Sequence, residues 1–81
     1  MIDKKVVLIT GAAGKLGKSL SKAILEKNGS VIMVDIDENR LGKLIETLPS
    51  ERVLGYCCDA SDKKDLSSII ELAVKKFGKI D

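Results

Sequence analysis

The chain contains no histidine and no tryptophan, and only one tyrosine, one phenylalanine and one proline. Without histidine there is no basis for a His/Cys zinc site or for a Cys–His nucleophile pair. Tyr56 and Phe77 are the only aromatic residues, so no platform exists on which nucleic-acid bases could stack. The formal net charge is +2, too small to drive association with a phosphate backbone or an anionic membrane surface. No apolar run approaches the roughly 20 residues of a membrane-spanning helix. Met1-Ile2-Asp3-Lys4-Lys5 passes straight towards a strand with no signal-peptide pattern. Cys57 and Cys58 are adjacent and would point to opposite faces of a strand, a geometry hostile to a disulfide between them. They read as small strand residues in a reducing cytoplasm.

The informative stretch is Lys5-Val6-Val7-Leu8-Ile9-Thr10-Gly11-Ala12-Ala13-Gly14-Lys15-Leu16-Gly17. Its apolar run from Val6 predicts a strand buried on both faces. The glycines let the backbone turn sharply and approach a ligand closely. A helix that starts at such a turn offers free N–H groups and a positive dipole end to an anion. Strand, turn and helix together predict a phosphate site suited to the pyrophosphate of a dinucleotide. A second strand, Ser30-Val31-Ile32-Met33-Val34-Asp35, ends in an acid about 20 residues past the turn. In a βαβ unit that acid lies beside the turn, where it can accept from both hydroxyls of an adenosine ribose. An acid there could also simply cap the next helix.

The remaining punctuation is regular. After the turn, Leu16, Leu20, Ala23, Ile24 and Lys27 recur at helical spacing, and Asn28-Gly29 supplies a stop. Lys18 and Lys22 read as a solvated face of this helix, whereas Lys15 in its first turn could add charge to a pyrophosphate site. Leu41, Leu44, Ile45 and Leu48 define a second helix that Pro49 ends. A third strand is expected over roughly Arg52 to Cys58. Asp62 with Asp65 resembles a capping box, and Leu66, Ile69, Ile70, Ala73, Val74 and Phe77 give the next helix an apolar face before Gly78. Lys79-Ile80-Asp81 reads as the opening of a fourth strand.

The order β-α-β-α-β-α predicts a parallel sheet with right-handed crossovers, the first half of a doubly wound α/β fold. At 81 residues the chain is too short for two domains and buries only about 60–65% of its unfolded surface. In strand order 3-2-1-4 the first strand is central. Without a fourth strand it becomes an edge, and nothing in Val6–Ile9 resembles edge protection. The chain therefore reads as part of a longer one.

Four landmarks in order carry a family likeness: Thr10-Gly11-Ala12-Ala13-Gly14-Lys15-Leu16-Gly17, Val34-Asp35, Cys58-Asp59-Ala60-Ser61 and Phe77-Gly78-Lys79-Ile80-Asp81. Together they resemble the N-terminal part of short-chain dehydrogenases/reductases, across essentially all of the chain. The resemblance implies an incomplete Rossmann-type fold, with residues 1–81 as its dinucleotide-binding N-terminal portion and the catalytic C-terminal portion absent. It also implies bound NAD or NADP and oxidoreductase chemistry on CH–OH/C=O groups in the complete protein, which would be a homo-oligomer acting on a small alcohol or carbonyl compound, a sugar or nucleotide sugar among them. By that likeness Gly11, Gly14, Leu16 and Gly17 line the pyrophosphate, and Lys15 joins the candidates through its charge in the first turn of the helix. Asp35 holds the adenosine ribose, Ile36 flanks the adenine, and Asp59 and Ala60 close the adenine pocket, Asp59 bonding the adenine amino edge. Asp35 favours NAD over NADP, because a 2′-phosphate would meet its carboxylate and no basic residue follows at once; Arg40 is expected to face solvent.

The spacing Thr-Gly-x-x-Gly-x-x-Gly is similar to that of the nucleotide-sugar epimerases and dehydratases. The ending Phe77-Gly78-Lys79-Ile80-Asp81 is similar to that of simple dehydrogenases, those of surface-polysaccharide and flagellin-modification pathways included. The family's catalytic Tyr-x-x-x-Lys does not occur here, since Tyr56 is followed four places on by Ala60. No catalytic residue is therefore assigned, and the chain alone is not expected to turn over substrate. Two other classes compete. Gly17-Lys18-Ser19 matches the end of a P-loop, but that pattern needs its first glycine where Ala12 stands, and Gly11 is one place early. A non-enzymatic dinucleotide sensor has the same cofactor site, because fold does not dictate function.

Overall fold

The computed structural model describes residues 4–81; the reading of the chain start at residues 1–3 lies outside them. Strand β1 (Val6–Thr10) leads to helix α1 (Lys15–Glu26), then β2 (Ser30–Asp35) and α2 (Glu38–Ile45). A 3-10 turn (Ser50–Arg52) precedes β3 (Val53–Cys57), and α3 (Lys63–Phe77) follows. The strands form one parallel sheet in the order β1-β2-β3. Val6 pairs with Ser30 and Thr10 with Val34 on one side, and Val31 with Val53 and Asp35 with Cys57 on the other. This is the Rossmann-like α/β arrangement expected from the alternation of elements.

β2 is the strand buried on both faces, with Val31, Ile32, Met33 and Val34 almost fully inaccessible. Alternation divides its side chains between two cores. Val31 and Met33 pack with Leu25, Leu41, Leu44 and Val53 under α1 and α2, whereas Ile32 and Val34 pack with Val6, Ile69 and Ala73 under α3. Burying each such side chain contributes about 1.5–3 kcal/mol, so the middle strand anchors both layers. β1 departs from the expectation of two-sided burial: Val6 is buried, Val7 to Ile9 are half-buried and Thr10 is exposed. Among the described residues it has a strand neighbour on one edge only, and Asp81 lies against the other. Asp81 N–H donates to Val6 O at 2.8 Å, and Val6 N–H donates to Asp81 Oδ2 at 2.7 Å.

Helix α1 turns a largely different face inward from the one periodicity indicates, and α3 buries only part of the indicated face. α1 buries Gly17, Ser21 and Leu25, while Leu16 is 73% and Leu20 46% exposed and Ala23 is also outward. Small residues win because they let the helix axis come close: a Cβ at Gly17 would stand 2.7 Å from Ala12 Cα and from Gly11 O. On α3 the buried seam is Ile69 and Ala73 with Phe77 half-buried, and Leu66, Ile70 and Val74 are exposed. α2 ends at Ile45, well before Pro49; Leu48 lies past the helix and still packs on the core.

The ends are closed largely as read. Asn28 takes the left-handed conformation at φ 64 after α1, a role its short polar side chain tolerates. Arg52, expected at the start of β3, instead sits in the 3-10 turn. From there its Nη1 donates to Leu25 O at 2.9 Å, neutralising the negative end of α1. Asp62 caps α3 by accepting from the Lys64 and Asp65 N–H groups, and Gly78 ends it at φ 84. No helix among the described residues is long and apolar enough to cross a membrane.

Candidate dinucleotide-binding site

The site forms where β1 and β2 end. Ala12 N–H donates to Val34 O at 3.1 Å, carrying the β1–β2 ladder into the glycine turn, and Gly14 N–H closes that turn onto Gly11 O at 3.1 Å. Gly11 sits at φ 63 with nothing within 4 Å of where a Cβ would be, so its backbone faces open space in a conformation side chains disfavour. Gly14 is the N-cap of α1, with no side-chain cap and no acid in the first turn. In contrast, α2 and α3 are capped by Asp37 and Asp62 and carry an acid in their first turns. Among the described residues, the α-helix that leaves its positive end bare is the one that opens from the glycine turn, which suits an anion from outside.

Asp35, the last residue of β2, ties the surrounding loops together. Its Oδ2 accepts from Ala13 N–H at 2.9 Å and its Oδ1 from Asp37 N–H at 2.9 Å. The Asp37 amide is the foremost reason its carboxyl is held below the usual range; desolvation opposes it, and the Ala13 amide, the Arg40 charge and the Ile36 amide each add a smaller lowering. Asp35 is therefore a carboxylate at neutral pH, with one bond to the glycine turn and one to the β2–α2 loop. Arg40 was expected to face solvent. It is exposed, yet its Nη2 donates to Ala13 O at 3.0 Å, so the Ala13 residue is held at N–H by Asp35 and at C=O by Arg40.

Beside this anchor lies a cleft of about 240 Å³ lined by Gly11, Val34, Asp35, Ile36, Cys58, Asp59 and Ala60. Ile36 is 73% exposed there. Asp59 Oδ1 accepts from the N–H and hydroxyl of Ser61 at 2.9 and 2.8 Å. The Ser61 amide is the main cause of the lowered pKa of Asp59, followed by the Ser61 hydroxyl. Of the residues predicted from sequence, Gly11, Asp35, Ile36, Asp59 and Ala60 thus converge on one cleft, and Gly14, Lys15, Leu16 and Gly17 form the adjoining helix start. Sequence reasoning missed Val34 and Cys58 as walls and Ala13, Asp37 and Arg40 as the partners that hold Asp35 and its loop. The alternation of β3 and the Asp37-x-x-Arg40 spacing were the available signals. Tyr56 packs on the core under α3, remote in role from any acid–base pair.

The family model for short chain dehydrogenase matches residues 5–81. The chain belongs to the short-chain dehydrogenase family. It is 37% identical over its whole length to the post-translational flagellin modification protein A of Campylobacter coli, of which it spans 33%. It is 34% identical over 99% of its length to the 3-oxoacyl-(acyl-carrier-protein) reductase FabG of Thermotoga maritima, again spanning 33%. Among solved structures, a 3-ketoacyl-(acyl-carrier-protein) reductase from Brucella melitensis complexed with NADH superposes with a TM-score of 0.91 at 30% identity, covering 100% of this chain and 33% of that one. A family member from Burkholderia phymatum in complex with NAD gives 0.90 at 27% identity, covering 98% and 29%. The chain therefore spans about a third of the length of the short-chain dehydrogenases it matches.

Proposed function

We propose that this chain is the dinucleotide-binding N-terminal portion of a short-chain oxidoreductase, that it takes NAD in preference to NADP, and that the complete protein acts on a small alcohol or carbonyl compound. The observation that carries the reading is the Asp35 carboxylate, anchored to the glycine turn and the β2–α2 loop beside the uncapped start of α1. The residues fit the cofactor. Gly11 and Gly14 leave the backbone bare for a pyrophosphate, with Lys15, Leu16 and Gly17 in the first turn of α1 above it. The free lone pairs of Asp35 accept from the ribose hydroxyls, and Ile36, Asp59 and Ala60 enclose the adenine. The nicotinamide of such a dinucleotide supplies or accepts a hydride at the CH–OH/C=O carbon. This chain's part is to bind and orient, because it contains no Tyr-x-x-x-Lys pair.

The preference for NAD rests on charge. A 2′-phosphate about 4 Å from the Asp35 carboxylate would be repelled by about 1–4 kcal/mol at effective dielectric constants of 80 to 20. Arg40, the nearest compensating cation, already serves Ala13 O. Free Cys57 and Cys58 accord with a reducing cytoplasm. Calorimetric titration with NADH, NADPH and Mg-ATP tests the reading. NADH should bind at least about fivefold more tightly than NADPH, and Asp35→Ala should abolish that difference. Binding of Mg-ATP in place of NADH would favour a P-loop instead.

A further inference from the structure

A second cleft, of about 410 Å³, lies between α1 and α2 and is lined by Ala13, Lys18, Lys22, Arg40, Lys43, Leu44 and Thr47. It shares no lining residue with the cleft at Asp35. Its walls carry four cations and no acid. Lys18 and Lys22 stand one turn apart on α1, and Arg40 and Lys43 stand three apart on α2, so each helix contributes a like-charge pair of the kind that destabilises a helix surface. The Lys18, Lys22 and Lys43 ammonium groups have no ion-pair or hydrogen-bond partner among the described residues. A chain of net charge +2 thus gathers four positive groups around one concavity, with Leu44 and Ala13 as its apolar surfaces. A solvated lysine face, the reading of Lys18 and Lys22 from sequence, does not require the facing helix to bring its own cations to the same cleft.

We propose that the α1–α2 cleft is an anion site, separate from the dinucleotide site, that takes a di- or triphosphate group. A compact ligand of about three negative charges matches the three unpartnered lysines in number, and the repulsion between the two helix faces becomes attraction when it binds. A singly charged carboxylate would leave most of that repulsion in place.

The test is titration of the chain with inorganic pyrophosphate, followed by backbone amide shifts. The expected result is saturable movement around Lys18, Lys22, Lys43 and Thr47. The K18Q/K22Q/K43Q variant should weaken binding about tenfold. The K63Q/K64Q/K75Q variant, with the same charge change on α3, should bind within about twofold of the parent. All these lysines are exposed, so the fold is retained. Three results would each overturn the proposal: non-saturating shifts, equal weakening in both variants, or movement confined to Gly11–Gly17. The last would place pyrophosphate on the glycine turn and leave the dinucleotide reading standing.

Discussion

Two glycines in helices make opposite predictions from the same substitution. Alanine exceeds glycine in a helix interior by about 0.8–1.0 kcal/mol. At Gly42, in α2, nothing lies within 4 Å of an added Cβ, so Gly42→Ala should gain most of that amount. At Gly17, in α1, the Cβ would stand 2.7 Å from Ala12 Cα and Gly11 O and 2.8 Å from Ala12 O. All three are backbone atoms of the glycine turn, so no side chain can swing aside. Overpacking of this kind costs about 1–3 kcal/mol, which outweighs the smaller helix gain available in a first turn. With about 4–8 °C per kcal/mol for a domain of this size, thermal unfolding should rise by about 4–8 °C in Gly42→Ala and fall by several degrees in Gly17→Ala. NADH affinity should drop in the second variant alone, because the displaced turn carries Gly11 and Gly14. If Gly17→Ala matches Gly42→Ala in both melting temperature and NADH affinity, the close approach of α1 to the turn is wrong.

Further outcomes follow from other contacts. Ser21 is fully buried with its Oγ lacking a partner among the described residues, so Ser21→Ala should raise the urea-unfolding free energy by about 1 kcal/mol. A Cβ at Gly55 would collide with Ile45 Cδ1, the movable end of a side chain. Gly55→Ala should therefore cost about 1 kcal/mol, with Ile45→Val restoring at least half in a double-mutant cycle. The folded pKa values of Asp35, Asp59 and Asp81 lie below the ordinary carboxylate value, each chiefly through a backbone amide: those of Asp37, Ser61 and Val6 respectively. A depressed folded pKa means the unfolded state binds more protons, so this stabilisation is complete above the unfolded value of about 4 and is lost as pH falls through the folded values. Urea midpoints between about pH 2 and 6 should show that loss, with a shallower slope in Asp35→Asn.

What the sequence made legible was the part governed by local chemistry. The element order, the parallel sheet, the Asn28 and Gly78 stops and the Asp62 cap follow from period, turn residues and capping, and each has its counterpart in the structure. The meeting of Gly11 and Asp35 was legible because a βαβ unit brings strand ends together whatever the side chains between them, whereas Ile36, Asp59 and Ala60 were named through the family resemblance. The face that α1 buries was not legible. Periodicity ranks Leu16 and Leu20 above Gly17 and Ser21, but packing at the turn rewards absence of bulk. β1 looked two-sided because its composition matches that of β2, and only position in the sheet separates them. The reach of Arg40 to Ala13 O was hidden for a similar reason: it depends on where α2 begins relative to the glycine turn, a distance no spacing encodes.

The most direct measurement of the central claim is a map of backbone amide shifts on titration with NADH, in the parent chain and in Asp35→Ala. The account predicts saturable shifts at Gly11, Gly14, Gly17, Ile36, Asp59 and Ala60 in the parent, and their loss in the variant. Shifts that leave these residues still, or that persist undiminished in Asp35→Ala, would contradict it.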